Sequence, residues 1–315
     1  MATDELINLW SSSGSEPRTK FQILLQIGDC YAAISPSNTA ALIVPLPEGD
    51  PLGRGRVLGS VRLRYETLLQ FEVDGRTWPQ AAAVIDCLEP KLVRTFCAVV
   101  RDVLDRLQAT SLTSKQVAAA LSAWDDLLRR KGKLTDTSEL GLWGELYIIS
   151  KTADPDAMVD VWRGPLGDTM DFFGGGVAVE CKTSAQRHKH HVSHGQATFA
   201  GDHISAFVAS VWAVEDATSG KTLVNMIDEI MLSVSDEAAF LQKLLAAGYQ
   251  EEHRPEYLRR FSCPSPPSFF RIEHVPQIRM IDEGITNVRY EVDLSRVPKV
   301  SKHDVQALLA ALIGK

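Results

Sequence analysis

Long apolar runs, excess basic charge and paired cysteines are all missing from this 315-residue chain. Nowhere do about 18 apolar residues follow one another, so no membrane span is expected. The start, Met1-Ala2-Thr3-Asp4-Glu5, is acidic and lacks the basic, apolar and small-residue pattern of a secretory leader; a cytoplasmic protein is expected. The five cysteines (Cys30, Cys87, Cys97, Cys181 and Cys263) are scattered, odd in number and without metal-ligand spacing, which reads as reduced thiols. Lys and Arg total 33 against 40 Asp and Glu, a net charge of −7. That balance argues against a nucleic-acid coat protein, whose footprint is a basic face. It leaves room for metal-assisted nucleic-acid chemistry, because an acidic metal site adds negative charge of its own. No G-x-x-x-x-G-K-[ST] motif, no methyltransferase glycine motif and no internal repeat is visible, so neither ATP hydrolysis nor methyl transfer is expected of this chain.

What is present is an ordinary globular composition, 45% hydrophobic and 23% charged, enough for a full core. After a polar Ser11-Ser12-Ser13-Gly14-Ser15 stretch, expected to be a loose arm or short helix, β patterns cover 21–27, 40–44 and 61–65. Turn signals such as Pro45-Leu46-Pro47-Glu48-Gly49-Asp50-Pro51 separate them. Beyond Pro90, Leu92, Phe96, Val99, Val100, Val103, Leu104 and Leu107 recur at helical spacing. A second helix is expected over 114–130 with Val117, Leu121, Trp124 and Leu128 inward, and a third opening on a capping-box-like Asp136 and Glu139. Further on, 204–214 reads as a strand buried on both faces. Helices follow near 222–231 and 235–247, the latter capped by Ser235 and stopped by Gly248. A one-side-buried strand over 285–294 and a closing helix capped by Ser301 complete the chain. Three segments are expected: a β-rich subdomain over 1–89, a helical connector over 90–135 and a core over 136–315.

The chemistry concentrates between Leu140 and Gln196. In the third helix Leu142, Trp143, Leu146, Tyr147 and Ile149 form an apolar face, while Gly141, Gly144 and Glu145 lie together. Glycines cost helix stability, so two beside a carboxylate imply that another backbone comes close; the alternative is plain helix–sheet packing with Glu145 at the solvent edge. Asp168 and Asp171 precede a hairpin whose turn is Gly174-Gly175-Gly176. On the returning strand Val177, Val179 and Cys181 share one face and Glu180 and Lys182 the other. An acid and a base on an apolar strand are costly to bury unless paired or holding a metal. The hairpin brings Asp171 beside Glu180, and two carboxylates from adjacent strands can hold a hard divalent cation. Such a cation polarises a phosphoryl oxygen and lowers the pKa of its water. Lys182 is placed to orient that water or to neutralise phosphate charge. Taken singly, each of these charges reads as a surface ion pair.

Together they resemble the PD-(D/E)XK nuclease superfamily, whose motif is an Asp at a strand start followed by Glu-x-Lys on the next strand. The chain is similar in particular to a bacterial PD-(D/E)XK family found with restriction and phage-defence genes. The matching residues are Gly141-Leu142-Trp143-Gly144-Glu145-Leu146, Asp171-Phe172, Val179-Glu180-Cys181-Lys182, His191-Val192-Ser193-His194-Gly195-Gln196 and Val288-Arg289-Tyr290-Glu291-Val292. The resemblance implies an α/β (α+β) restriction-endonuclease-like core, a mixed sheet flanked by helices. It also implies a DNA endonuclease dependent on Mg²⁺, with Mn²⁺ as substitute, serving as the cleavage subunit of a restriction or phage-defence system. Carried over by residue, Asp171 and Glu180 would bind metal, Lys182 would be the catalytic lysine and Glu145 an auxiliary metal or water ligand. Gln196 would be a downstream polar residue of the active site. Met170 stands where the motif has proline, and Asp168 rivals Asp171 as the first carboxylate.

The segment Gln186-Arg187-His188-Lys189-His190-His191-Val192-Ser193-His194 holds four histidines in seven residues, with no cysteine or carboxylate among them to complete a zinc set. With Arg187 and Lys189 it is instead the most basic patch near the site, and Arg187, Lys189, His191 and Ser193 are candidate DNA contacts. Arg254, Arg259 and Arg260 mark a second basic patch, although surface arginines commonly serve only solubility. The expected partners are DNA and the ATPase or helicase and methyltransferase proteins of a defence system. Double-strand cutting needs two sites, hence a homodimer. Two other readings compete: a catalytically silent nuclease fold used for assembly, and a zinc-binding regulator.

Overall fold

The computed structural model describes residues 3–11, 20–73, 76–108, 112–125, 127–128, 132–199, 201 and 203–315. Two compact units emerge: Met1–Gly132 with Glu237–Leu245 and Gln250–Glu252, and Lys133–Asp236 with Ala246–Tyr249 and His253–Lys315.

In the first unit, helix α1 (Thr3–Ser11) precedes strands β1 (Gln22–Ile27), β2 (Cys30–Ile34), β3 (Ala40–Pro45), β4 (Arg56–Leu58), β5 (Val61–Val73) and β6 (Arg76–Cys87). They form one antiparallel sheet in the order β1-β2-β3-β6-β5-β4. The expected β subdomain is therefore present, with more strands than the sequence suggested. The arm begins as a helix, Leu6 and Trp10 buried and the Trp10 indole donating to Ala33 O at 2.9 Å; residues 12–15 of the expected loose stretch lie outside the described residues. Helix α2 (Val93–Gln108) buries the whole stripe from Phe96 to Leu107. Helix α3 (Ser114–Ser122) stops earlier than expected. Near its end Arg56 Nη2 (2.6 Å) and Ser122 Oγ (2.8 Å) both donate to Ala118 O. Trp124 and Leu128 are buried all the same, in turns; residues 126 and 129–131 lie outside the described residues.

The second unit runs α4 (Asp136–Ser150), α5 (Pro155–Asp160), β7 (Phe172–Gly174), β8 (Val177–Ser184), β9 (Lys189–Ser193), α6 (His194–Ala197), β10 (Ser205–Trp212), β11 (Val214–Glu215) and β12 (Lys221–Thr222). Then come α7 (Leu223–Met231), α8 (Glu237–Ala246, most of which groups with the first unit), β13 (Arg260–Ser262), β14 (Ser268–Arg271), β15 (Arg289–Asp293) and α9 (Lys302–Leu312). Its central sheet is mixed, in the order β14-β10-β8-β7, with β10 parallel to β8 and the two edge strands antiparallel. This is the helix-flanked mixed sheet expected of a restriction-endonuclease-like core. One face of β8 meets α4: a Cβ on Gly144 would lie 1.7 Å from Thr183 Oγ1. The other face carries an apolar cluster that includes Ala178 and Val208 from the sheet, Val192 from β9, Ala197 from α6 and Val292 from β15. The β9–β15 ribbon is thus the second layer.

Three local expectations are corrected. Thr135, not Asp136, is the N-cap of α4, its Oγ1 accepting from Ser138 N at 3.2 Å. Ser235 does not serve α8; its hydroxyl and amide both donate to Asp156, at 2.6 and 2.9 Å. The last strand begins at Arg289 rather than Ile285, after Asn287 turns through a φ of 55°.

The two glycines of α4 divide sharply. Gly144 has Thr183 against it, whereas a Cβ on Gly141 meets nothing within 4 Å. Gly144→Ala is expected to cost roughly 1–3 kcal/mol through overpacking. Gly141→Ala should add about 0.5–1 kcal/mol, because it only removes backbone freedom from the unfolded chain. Denaturant melts of the two variants check this; equal effects would contradict it.

Candidate active site

The hairpin between β7 and β8 sets the geometry. Gly174 pairs with Val177, and Gly175 and Gly176 occupy the turn with φ of 52° and 74°. Two positive φ values are what a two-residue turn of this twist needs, and only glycine adopts them freely. A Cβ on Gly175 would also strike Ala311 O at 1.8 Å, at the C-terminal end of α9. With Phe172 opposite Val179, Asp171 falls opposite Glu180. Asp171 is fixed twice: its backbone oxygen accepts from Arg163 N and Gly164 N at 2.6 and 2.9 Å, and its Oδ2 accepts from Cys181 N at 2.7 Å.

Five of the expected residues converge. Glu180 is 3% exposed; its Oε1 accepts from Lys182 Nζ at 2.7 Å and from Gln196 Nε2 at 2.6 Å, while its buried Oε2 has no partner. Gln196 is held from behind by the cap of α6. Ser193 Oγ accepts from Gln196 N at 3.2 Å, and Gln196 Oε1 accepts from Ser193 N at 3.1 Å. Glu145 reaches the same place from α4, for a Cβ on Gly164 would meet Asp171 Oδ1 at 2.6 Å and Glu145 Oε2 at 3.2 Å. Glu145 is therefore not at a solvent edge. Asp168 is exposed, and Met170 packs into the apolar cluster under the ribbon.

The candidate DNA contacts do not assemble as one basic patch. Arg187 lies over the Trp212 ring, its guanidinium carbon 5.2 Å from the centroid. Lys189 is exposed opposite Asp293, and His191 is exposed with Nε2 3.9 Å from Glu291. Ser193 is half-buried and committed to the cap. The histidines scatter: His188 and His190 are buried against Ser210, while His191 points outward. Arg254 pairs with Asp228, Arg259 with Glu215 and Asp136, and Arg260 donates to Gly220 O.

Two residues of the site were not anticipated. Trp162, fully buried, donates its indole N–H to Glu145 Oε2 at 2.7 Å, and Gly164 leaves the space into which two carboxylates project. The only sequence trace is a Trp-Arg-Gly-Pro turn between helix and hairpin, which has no periodicity to announce it.

Electrostatically the site holds three carboxylates and one lysine. Burial, then the charge of Asp171, push Glu180 from its ordinary 4.5 up to about 8 despite Lys182. Burial followed by Asp171 raises Glu145 well above its usual range, against the Trp162 hydrogen bond. Burial likewise raises Asp171, against the Cys181 amide and Lys182. Cys181 is buried and its thiol is pushed up by burial and then by Asp171, so it is no nucleophile.

Among the described residues no group of three or more His, Cys, Asp or Glu side chains stands ready-made as a metal site. The donor set nonetheless suits a hard divalent cation. Its ligands would be carboxylate oxygens, one of them the buried, unpartnered Oε2 of Glu180. A cation there would also offset the surplus negative charge.

The chain belongs to the family described as "Putative PD-(D/E)XK family member (DUF4420)", whose model matches residues 12–295. No curated protein and no solved structure matches it. Among the described residues no helix is long and apolar enough to cross a membrane.

A stability dependence follows. Glu180 favours its proton in the fold, so its contribution is fully present below about 4.5 and is lost as pH rises towards about 8. Glu180→Gln is expected to remove that loss. It should melt on the order of 5 °C above wild type at pH 8 and close to it at pH 4.5, without added metal. Millimolar Mg²⁺ should raise the wild-type melting temperature and leave the variant nearly unmoved. A variant less stable than wild type at pH 8 would contradict the charge surplus.

Proposed function

We propose that this protein is a divalent-metal-dependent DNA endonuclease working through Asp171, Glu180 and Lys182. The observation that carries the reading is the state of Glu180: both donors occupy Oε1, and Oε2 is left buried and unpartnered. A buried carboxylate oxygen without a partner costs about 1–3 kcal/mol or more, so a fold that keeps one has a use for it. Membership of a PD-(D/E)XK family supports the same chemistry.

Asp171 and Glu180 would hold Mg²⁺ or Mn²⁺, with Glu145 close enough to act through a water. A cation held there would supply Lewis acidity towards a phosphoryl oxygen and would lower the pKa of a water, making hydroxide available near neutral pH. The side chains of this chain do the rest. Gln196 fixes the Glu180 carboxylate so that Oε2 faces the site. Lys182, its side chain 20% exposed, keeps an ammonium beside the carboxylates, where it can donate to a phosphodiester oxygen as charge develops. Trp162 holds Glu145, and the Cys181 amide holds Asp171.

Lys189 and His191 face acids across the ribbon, Arg187 lies over Trp212, and the chain carries −7 overall. DNA is therefore delivered by partner proteins, in keeping with a cleavage subunit of a restriction or phage-defence system whose ATPase and modification functions lie elsewhere. A second reading, a silent nuclease fold retained for assembly, draws on Asp171 Oδ2 being taken up by Cys181 N.

Plasmid cleavage by the purified chain, alone and with the products of neighbouring genes, is the deciding assay. Nicking or linearisation with Mg²⁺ or Mn²⁺, abolished by EDTA, is expected to fall by at least 100-fold in Lys182→Ala. Wild-type cleavage that survives Lys182→Ala would remove Lys182 from the mechanism. Absence of cleavage under every combination would favour the silent fold.

A further inference from the structure

The active-site strand has a polar neighbour that the mechanism does not use. Ser210 on β10 pairs in register with Lys182 on β8, so their side chains share one face of the sheet. Buried Ser210 receives two buried histidines from β9 and the turn before it. His190 Nε2 lies 2.7 Å and His188 Nδ1 3.3 Å from its Oγ. A serine hydroxyl has one hydrogen, so at most one of the two rings accepts it and the other must donate to the oxygen. The shorter contact assigns the hydroxyl proton to His190 Nε2, with His188 Nδ1–H donating to Oγ. That arrangement needs both rings uncharged. Burial lowers both, and burial together with the Lys182 charge holds His190 down to about 4.

The position of this network matters as much as its chemistry. Strand β9 is not hydrogen-bonded into the central sheet; its strand partner is β15. It continues directly into α6, whose cap presents Gln196 to Glu180. The β9–α6 segment therefore lies on the Glu180–Lys182 face with one polar foot at each end, His190 on Ser210 and Gln196 on Glu180. Between them Val192 and Ala197 pack against the apolar cluster, Gln277 Nε2 donates to Ala197 O at 2.6 Å, and β15 runs alongside β9 without fixing where the pair sits on the sheet. Apolar packing tolerates sliding, whereas a 2.7 Å hydrogen bond fixes register.

We propose that His190, through Ser210, is a positioning residue that sets β9 in register so that Gln196 can orient Glu180. Its consequence for catalysis rests on the nuclease reading above; its structural part does not. Supporting groups of this kind, one step removed from a metal ligand, typically change activity by about 10–100-fold.

The test uses the full-length protein with ¹⁵N-labelled glutamine side chains and three variants: His190→Leu, Ser210→Ala and His190→Gln, whose amide can replace Nε2. In wild type the Gln196 side-chain amide protons are expected downfield, bonded to a carboxylate. His190→Leu and Ser210→Ala should return them to the positions of solvated amides and lower kcat by at least tenfold with KM unchanged. His190→Gln should keep both near wild type. Ser210→Ala removes a single oxygen, which guards the test against a His190→Leu chain that fails to fold. A Gln196 signal unmoved in both His190→Leu and Ser210→Ala, with only the melting temperature lowered, would make the network merely structural and overturn the proposal. So would His190→Gln behaving like His190→Leu. If wild type cleaves nothing, the Gln196 signal still decides the structural part, and the two failures remain separate.

Discussion

Three carboxylates and one lysine meet around the middle of β8, with Glu180 buried and Lys182 partly exposed, and much of the second unit can be understood as the means of holding them there. Each acid is fixed by a different element. Glu145 comes from a helix and is held by Trp162, Asp171 ends the approach to a hairpin and is held by backbone amides, and Glu180 lies mid-strand between Lys182 and Gln196. Burial raises the proton affinity of all three, and the charge of Asp171 adds to it at Glu145 and Glu180. Left to itself such a cluster strains the fold. A divalent cation turns the same arrangement into an asset, since the charge that costs stability becomes the charge that binds.

The core of the site was legible because it is local in sequence. Period-two alternation put Glu180 and Lys182 on one face, and the triple glycine announced the turn that returns Asp171 to Glu180. Gln196 was legible only through family resemblance; its reason, a cap that presents the amide to Glu180, is a three-dimensional fact. Trp162, Gly164, His190 and Ser210 were not legible, because each acts across elements far apart in the chain. In the β-rich unit, β2 escaped notice because Cys30-Tyr31-Ala32-Ala33-Ile34, buried throughout like β3, shows no alternation and has a single β-branched residue where Ala40-Ala41-Leu42-Ile43-Val44 has two. The end of α3 was misread for a different reason. Trp124 and Leu128 keep helical spacing and are buried, yet the backbone there has already left the helix.

The same distance effect explains the basic segment. As a string, Arg187 to His194 looks like a phosphate-binding patch. Folded, its polar residues divide between three tasks: Ser193 caps α6, His188 and His190 bind Ser210, and Lys189 and His191 face Asp293 and Glu291 across the ribbon. A segment that supports the candidate site from behind needs the same polar residues as one that touches DNA, so the string alone does not tell the two apart.

The central claim is that the carboxylate cluster is a divalent-cation site, and Mn²⁺ titration of the ¹⁵N-labelled protein tests it most directly. Paramagnetic broadening should begin at one place, centred on the amides of Asp171, Cys181 and Lys182 and on the Gln196 side chain, and Asp171→Asn should abolish it. Broadening centred elsewhere, or none at millimolar Mn²⁺, would contradict the account.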